Sequence, residues 1–406
     1  MKYIWSKYNL ELASCEDGVT VFNTQSGAIC ELEQLVYQTY SVSNCINEQM
    51  PYFEDLLDIG FITQGIHEAV SNEIKVLKIV LSCTESCNLR CYYCFEENHP
   101  KTTFFENQKP AQFMHLLNTL LDQQGFDELH ITWFGGEPLL YFKELRALSV
   151  QIIEACKMLG VEYSASIVTN ATMLSPEVCD AFEKCKINRV QITVDGECGK
   201  FVENKKGSVD QWGVIINSLP GVIAKTNLTL RFNMDKNNIC SIKDLLRHLS
   251  ELNIIERCKI VFARIGTENP LFKENVLSWP DYFNNKLELI SYLINELRVD
   301  NDTLFNELTP LENSCALLLP NALVVDSQGY CHKCEDRIGY IESENLSNID
   351  LCVKKAGVNA FSMRKSCEKC KIYHLCKGEC QAKWDYTFCN EKIEYIKKLA
   401  ILKIGR

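Results

Sequence analysis

Between residues 75 and about 300 the chain repeats one rhythm: a short apolar or β-branched run, then a stretch with helical spacing. The candidate strands are 75–82, 128–134, 163–169, 189–195, 227–233 and 259–264. Six such β/α units predict a parallel sheet, either a partial TIM-type barrel, (β/α)6, or an open doubly wound sheet. Either arrangement gathers ligands at the carboxyl ends of the strands. Those ends are where chemistry-bearing residues cluster. Cysteines follow the first strand, Gly135, Gly136 and Glu137 the second, Asn170 the third, Asp195 and Gly196 the fourth, and Arg231 and Asn233 close the fifth.

The flanks differ from this centre. Residues 1–74 predict a small α+β module: strand, polar turn (Asn23–Gly27), strand and helix, then a helix entered through Pro51, stopped at Gly60 and followed by a short strand. Beyond 300 the alternation stops, and a cysteine-rich segment takes over that needs metal in place of a core. The expected domains are therefore 1–74, 75–300 and 301–406.

Composition narrows the function classes. With 42 Lys and Arg against 53 Asp and Glu, the net charge of −11 repels a nucleic acid, and no basic run offers a local exception. No window approaches a membrane span and the start lacks the apolar core of a signal peptide, so the expected location is cytoplasmic. In that compartment 22 cysteines signal metal ligation rather than disulfides. Four of them fall in 83–94 and nine in 315–389.

The first group decides the chemistry. Cys87, Cys91 and Cys94 offer three thiols from one short loop, whereas structural zinc prefers four protein ligands. A cubane 4Fe-4S cluster held by three cysteines keeps one iron without a protein ligand, open to substrate. Cys83 lies nearest the strand and is expected to be structural.

The pattern Cys87-x3-Cys91-x-Tyr93-Cys94, joined to FGGEP after the second strand, resembles the signature of radical S-adenosylmethionine (SAM) enzymes. The resemblance implies that SAM chelates the open iron and yields a 5′-deoxyadenosyl radical that abstracts a substrate hydrogen. It further implies that Gly135 and Gly136 admit the SAM methionine and that Glu137 helps hold its ammonium group. Thr193 (ITVDG) and Arg231 (LRFN) would bind the carboxylate, and Tyr93 would meet the adenine through its backbone. Asn170 stands in VTNAT, similar to a TNGT-like motif but with Ala171 in place of the usual glycine.

Cys315, Gly329, Cys334, Cys367, Cys370, Cys376, Cys380 and Cys389 resemble the SPASM extension, which carries two auxiliary 4Fe-4S clusters. The resemblance assigns Cys367, Cys370, Cys376 and Cys389 to one cluster and Cys315, Cys334 and Cys380 to the other. Cys331 or an open iron would complete the second. Two structural zinc sites are the alternative to these clusters.

SPASM relatives act on ribosomal peptides or proteins. The favoured expectation is a RiPP (ribosomal peptide) maturase that installs a thioether, carbon–carbon or similar crosslink. Residues 1–74 would then be a winged-helix-like leader-peptide recognition module, adding the leader of a precursor peptide as a strand. Anaerobic sulfatase maturation to formylglycine is the second reading; there Glu335 or Asp336 could act as base. A non-catalytic leader-binding iron–sulfur scaffold is the third. A flavodoxin- or ferredoxin-type electron donor and an anaerobic setting accompany the enzyme readings, with no nucleic-acid or membrane partner.

Overall fold

A computed structural model describes residues 3–43, 46–64, 75–94, 101–266, 270–311, 321–333, 336–342, 365–378 and 385–405. All six expected strands are present: β6 (Val76–Thr84), β7 (Glu128–Gly135), β8 (Glu162–Thr169), β9 (Ile187–Val194), β10 (Asn227–Met234) and β11 (Lys259–Arg264). They pair in parallel and in sequential order, β6 to β11. A doubly wound sheet reverses its strand order at a switch point. This sheet does not, so of the two expected arrangements the partial barrel is the one observed.

Alternation along the strands explains the layering. Leu77, Ile79 and Leu81 of β6, Leu129, Ile131 and Trp133 of β7, and Leu228, Leu230 and Phe232 of β10 are buried beneath the helices. Full burial of each such side chain stabilises by roughly 1.5–3 kcal/mol. Many of the alternate residues, on the inner face, are polar, among them Lys78, His130, Thr132, Thr229 and Arg231. His130 bonds Ser164 at 2.7 Å and Ser166 at 3.0 Å across the strands, and Thr132 meets Ser166 at 2.9 Å. A polar inner face suits a half-barrel that admits a ligand, where a closed barrel would be packed with apolar layers.

The sheet also continues past the expected boundary at residue 300. β12 (Ala322–Val325) pairs in parallel with β6, and the hairpin β13 (Tyr330–Lys333) and β14 (Asp336–Tyr340) extends that edge to nine strands. The four-residue run ALVV is too short to stand out in a cysteine-rich segment. Its burial comes from pairing with β6, a partner distant in sequence.

The N-terminal region contains the expected hairpin, β3 (Gly18–Asn23) and β4 (Ile29–Glu33), then α1 (Gln34–Val42), α2 (Phe53–Asp58) and β5 (Ile62–Thr63). Two strands not anticipated precede them, β1 (Ile4–Trp5) and β2 (Asn9–Ser14). Val19, Val21, Leu32, Tyr40, Phe53 and Phe61 form a core of their own. Leu10 and Phe22, in contrast, join the main core. The module is thus both a folding unit and a docked one. Lys7 Nζ donates to Glu368 O at 2.9 Å, Thr24 Oγ1 donates to Lys371 O, and Tyr8 meets His374 edge-on at 4.4 Å. These contacts seat it on the segment that carries Cys367, Cys370 and Cys376.

Candidate active site

The three-cysteine loop leaves β6 at Thr84 and is gripped at once by the end of β7. Gly136 N donates to Thr84 O at 2.7 Å, and Glu137 N to Ser86 O at 2.9 Å. A Cβ on Gly135 would stand 2.3 Å from Thr84 O, and one on Gly136 2.3 Å from Ser86 O. Gly135 also has φ +118°, a region that only glycine enters readily. The two glycines therefore bring the backbones of β7 and the cysteine loop together.

Glu137 is fully buried. Its carboxylate accepts from Leu139 N (2.9 Å), Thr169 Oγ1 (2.7 Å) and Asn170 N (2.7 Å). Burial pushes its pKa up, and these donors oppose the shift. The carboxylate thereby joins the ends of β7 and β8.

Asn170 braces the first cysteine. Its Nδ2 donates to Cys87 Sγ at 3.6 Å and to Asn88 Oδ1 at 2.8 Å, while its Oδ1 accepts from Thr172 N and Oγ1. Leu89 N also donates to Cys87 Sγ, at 3.4 Å. Amide donors aimed at a sulfur favour its thiolate form, the form that ligates metal. Ala171 holds φ +65° and is buried, so the backbone shape of a glycine turn persists with alanine in it.

The tip of the loop is clamped from the far side. Arg90 N and Tyr92 N donate to Lys205 O (2.9 Å) and Asn204 O (3.1 Å), at the end of α6 (Cys198–Lys205). Tyr92 Oη donates to Asp235 at 2.7 Å, and Tyr93 Oη to Asp195 at 2.6 Å. Asp195 is buried, and burial raises its pKa while Lys205, 3.7 Å away, opposes that. Burial likewise raises the Cys87 thiol, and pushes Cys91 up to about 12. Thiolates at these positions call for a cation bound to them directly. Sulfur donors, amide support and three thiols in one loop fit a cluster held by Cys87, Cys91 and Cys94.

Thr193 and Arg231 are neighbours in register on β9 and β10. Arg231 Nε donates to Asn233 Oδ1 at 3.0 Å. Burial lowers the Arg231 pKa, while Tyr282, Tyr93 and Asp195 act against it. Tyr92, Asn204, Lys205 and Asp235 were not singled out in the sequence. Asp235 follows β10 directly and carried a strand-end signal; the end of α6 carried none, because its role is to offer carbonyls.

Cys367, Cys370, Cys376 and Cys389 line one pocket together with Lys392. Among the described residues no three His, Cys, Asp or Glu side chains are disposed to hold a single metal ion. Four thiols spaced around a cavity instead suit a cluster that has its own volume. Cys315, Cys334, Glu335 and Cys380 lie outside the described residues. Asp336 opens β14, in register with Lys333. Cys331, the candidate eighth ligand, is buried in the main core, in register with Val325. Cys83 is buried, whereas Cys15 and Cys240 are exposed.

Residues 81–212 match the family described as the Radical SAM superfamily. An uncharacterised protein of Methanocaldococcus jannaschii is 32% identical over 29% of the chain, a stretch that spans 38% of that protein. A serine-type anaerobic sulfatase-maturating enzyme of Klebsiella pneumoniae is 21% identical over 73% of the chain and 79% of its own length. Among solved structures, anSMEcpe with bound AdoMet and Cp18Cys peptide superposes with a TM-score of 0.61 at 17% identity, covering 82% of this chain and 98% of that one. Streptococcus suis SuiB bound to precursor peptide SuiA does so with a TM-score of 0.52 at 15% identity, covering 93% and 95%. No described helix is long and apolar enough to cross a membrane. The matched segment, together with a half-barrel whose first strand ends in the three-cysteine loop, makes residues 81–212 a radical SAM domain.

Proposed function

We propose that the chain is a peptide maturase that installs a crosslink in a ribosomally made precursor. The observation that carries this reading is the N-terminal module. It has its own core and is docked on the segment that carries Cys367, Cys370 and Cys376, as a module that holds a peptide's leader near the site would be. The precursor peptide bound by SuiB supports the same class of substrate.

A 4Fe-4S cluster on Cys87, Cys91 and Cys94, with SAM bound to it, would supply the radical that abstracts hydrogen. The residues of the chain have the remaining tasks. Asn170 supports Cys87, Tyr92 and Tyr93 fix the loop tip, and Thr193 with Arg231 present a hydroxyl and a cation where the SAM carboxylate would lie. The half-barrel's inner face keeps the substrate at the strand ends. A second cluster on Cys367, Cys370, Cys376 and Cys389, and a third involving Cys315, Cys334 and Cys380, complete the proposed set, with a low-potential flavodoxin- or ferredoxin-type protein as electron donor.

Sulfatase maturation is the second reading, favoured by the likeness to anSMEcpe over 82% of the chain. One assay separates the two. Reduced, anaerobic protein is incubated with SAM and either a precursor peptide encoded beside its gene or a cysteine- or serine-containing sulfatase peptide. The proposal expects the precursor to lose two hydrogens without forming an aldehyde. A hydrazide-reactive aldehyde on the sulfatase peptide, with the precursor untouched, would overturn it.

A further inference from the structure

Among the described residues, the lining of the pocket of Cys367, Cys370, Cys376 and Cys389 has one charged side chain, Lys392, and no carboxylate. Cys389 opens the terminal helix Cys389–Ile404, and Lys392 follows one turn later on the same face. Lys392 is buried and lines the pocket beside Cys376; burial lowers its pKa, and Cys376 and Glu307 oppose that shift. Ile372, Tyr373 and Tyr386 supply most of the remaining wall.

A lysine in the first turn is on the unfavourable side of the helix macrodipole, which places positive charge at that end. Burial adds to the cost of the ammonium. Both penalties reverse if an anion fills the pocket. A cubane with four thiolate ligands is dianionic when oxidised and trianionic when reduced. A fixed cation therefore stabilises the reduced state more than the oxidised one, and net charge and hydrogen bonds to the sulfurs are among the determinants of a cluster's potential.

The surroundings offset this cation only in part. Lys286 on α9 (Trp279–Asn295) forms an ion pair with Glu307, and Glu307 is also within electrostatic reach of Lys392. Two lysines thus share one carboxylate behind the pocket. Lys286 also donates to Tyr282 Oη at 3.3 Å, which leads toward Arg231 on the inner face of the barrel.

We propose that Lys392 raises the reduction potential of the cluster held by Cys367, Cys370, Cys376 and Cys389. Glu307 moderates the effect from behind. The inference rests on the reading of this pocket as an iron–sulfur site, and the test separates the two.

The full chain carrying Cys87→Ala, Cys91→Ala and Cys94→Ala is reconstituted anaerobically, so that the SAM-site cluster does not obscure the others. Iron content and EPR-monitored redox titrations are then compared with and without K392M, K392R or E307Q. The signal of interest is the one removed by Cys367→Ala with Cys370→Ala. K392M is expected to keep its iron and to titrate at more negative potential; K392R should stay near the parent, and E307Q should move to more positive potential. A perturbation of packing alone would not give opposite signs for K392M and E307Q. If K392M loses iron, K392Q, which keeps a polar group in the pocket but removes the charge, takes its place in the comparison. An unchanged potential in both variants, with iron retained, overturns the role of Lys392 but leaves the cluster standing. No loss of iron on replacing Cys367 and Cys370 removes the cluster itself, and the inference with it.

Discussion

The molecule holds its cysteines in two ways. The loop of Cys87, Cys91 and Cys94 takes its rigidity from the sheet: β7 grips its base, the β8 turn braces Cys87, and the end of α6 with Asp195 and Asp235 fixes its tip. The pocket of Cys367, Cys370, Cys376 and Cys389 lies in short turns and one helix end, on a segment that the N-terminal module touches at Glu368 and His374. The first site is an outgrowth of a barrel that folds for its own reasons. The second is built from a short segment with little regular structure, where a bound metal would contribute to the fold itself.

The sharpest way to break this comparison is to remove ligands. Replacing Cys87, Cys91 and Cys94 by alanine should lower iron by about four atoms per chain and abolish SAM cleavage. Replacing Cys367 and Cys370 should also lower iron by about four atoms yet leave SAM cleavage, measured as 5′-deoxyadenosine, in place. The same change should lower the melting temperature more, because the segment has little else to order it. Equal loss of SAM cleavage in both variants would mean that the sites are not independent.

Next in size is Gly136→Ala. Its methyl group meets Ser86 O, so the loop or β7 must move, at a cost of roughly 1–3 kcal/mol. Iron at the SAM site should fall while the four-cysteine site keeps its own. Wild-type iron at both sites would show that the close approach of β7 is not needed.

The clamp at the loop tip gives a graded test. Tyr93→Phe leaves the buried Asp195 without its hydroxyl donor, a loss of about 1–3 kcal/mol. Tyr92→Phe should cost less, because Asp235 also accepts from Asn237 N at 2.6 Å. The EPR signal of the SAM-site cluster should therefore change more in Tyr93→Phe, and the reverse order would contradict the roles assigned to the two carboxylates.

Smaller still is Ala171→Gly. It relieves a left-handed alanine but adds freedom to the unfolded chain, so stability should stay within about 1 kcal/mol of wild type by denaturant unfolding. A large loss would mean that the buried methyl group, not the backbone shape, is what the turn requires.

The barrel was legible because each β6–β11 strand is a local run whose alternation appears in the sequence. β12 was not, because ALVV becomes a strand only through Lys78–Leu81. At the site, the cysteines and the FGGEP glycines were legible by spacing and position. The observed part played by Glu137 was not, since its three donors come from Leu139, Thr169 and Asn170, and only folding brings the last two to it. Lys392 had no signal either: its meaning depends on a pocket whose walls span residues 367–392.

The central claim is that Cys87, Cys91 and Cys94 hold a cluster with one iron open to SAM. Its most direct test is the EPR spectrum of the reduced, anaerobically reconstituted protein before and after SAM is added. The spectrum should change in the wild type and in Cys367→Ala with Cys370→Ala, and the SAM-responsive signal should be missing when Cys87, Cys91 and Cys94 are alanine. A wild-type spectrum indifferent to SAM, or zinc in place of iron at the loop, would contradict it.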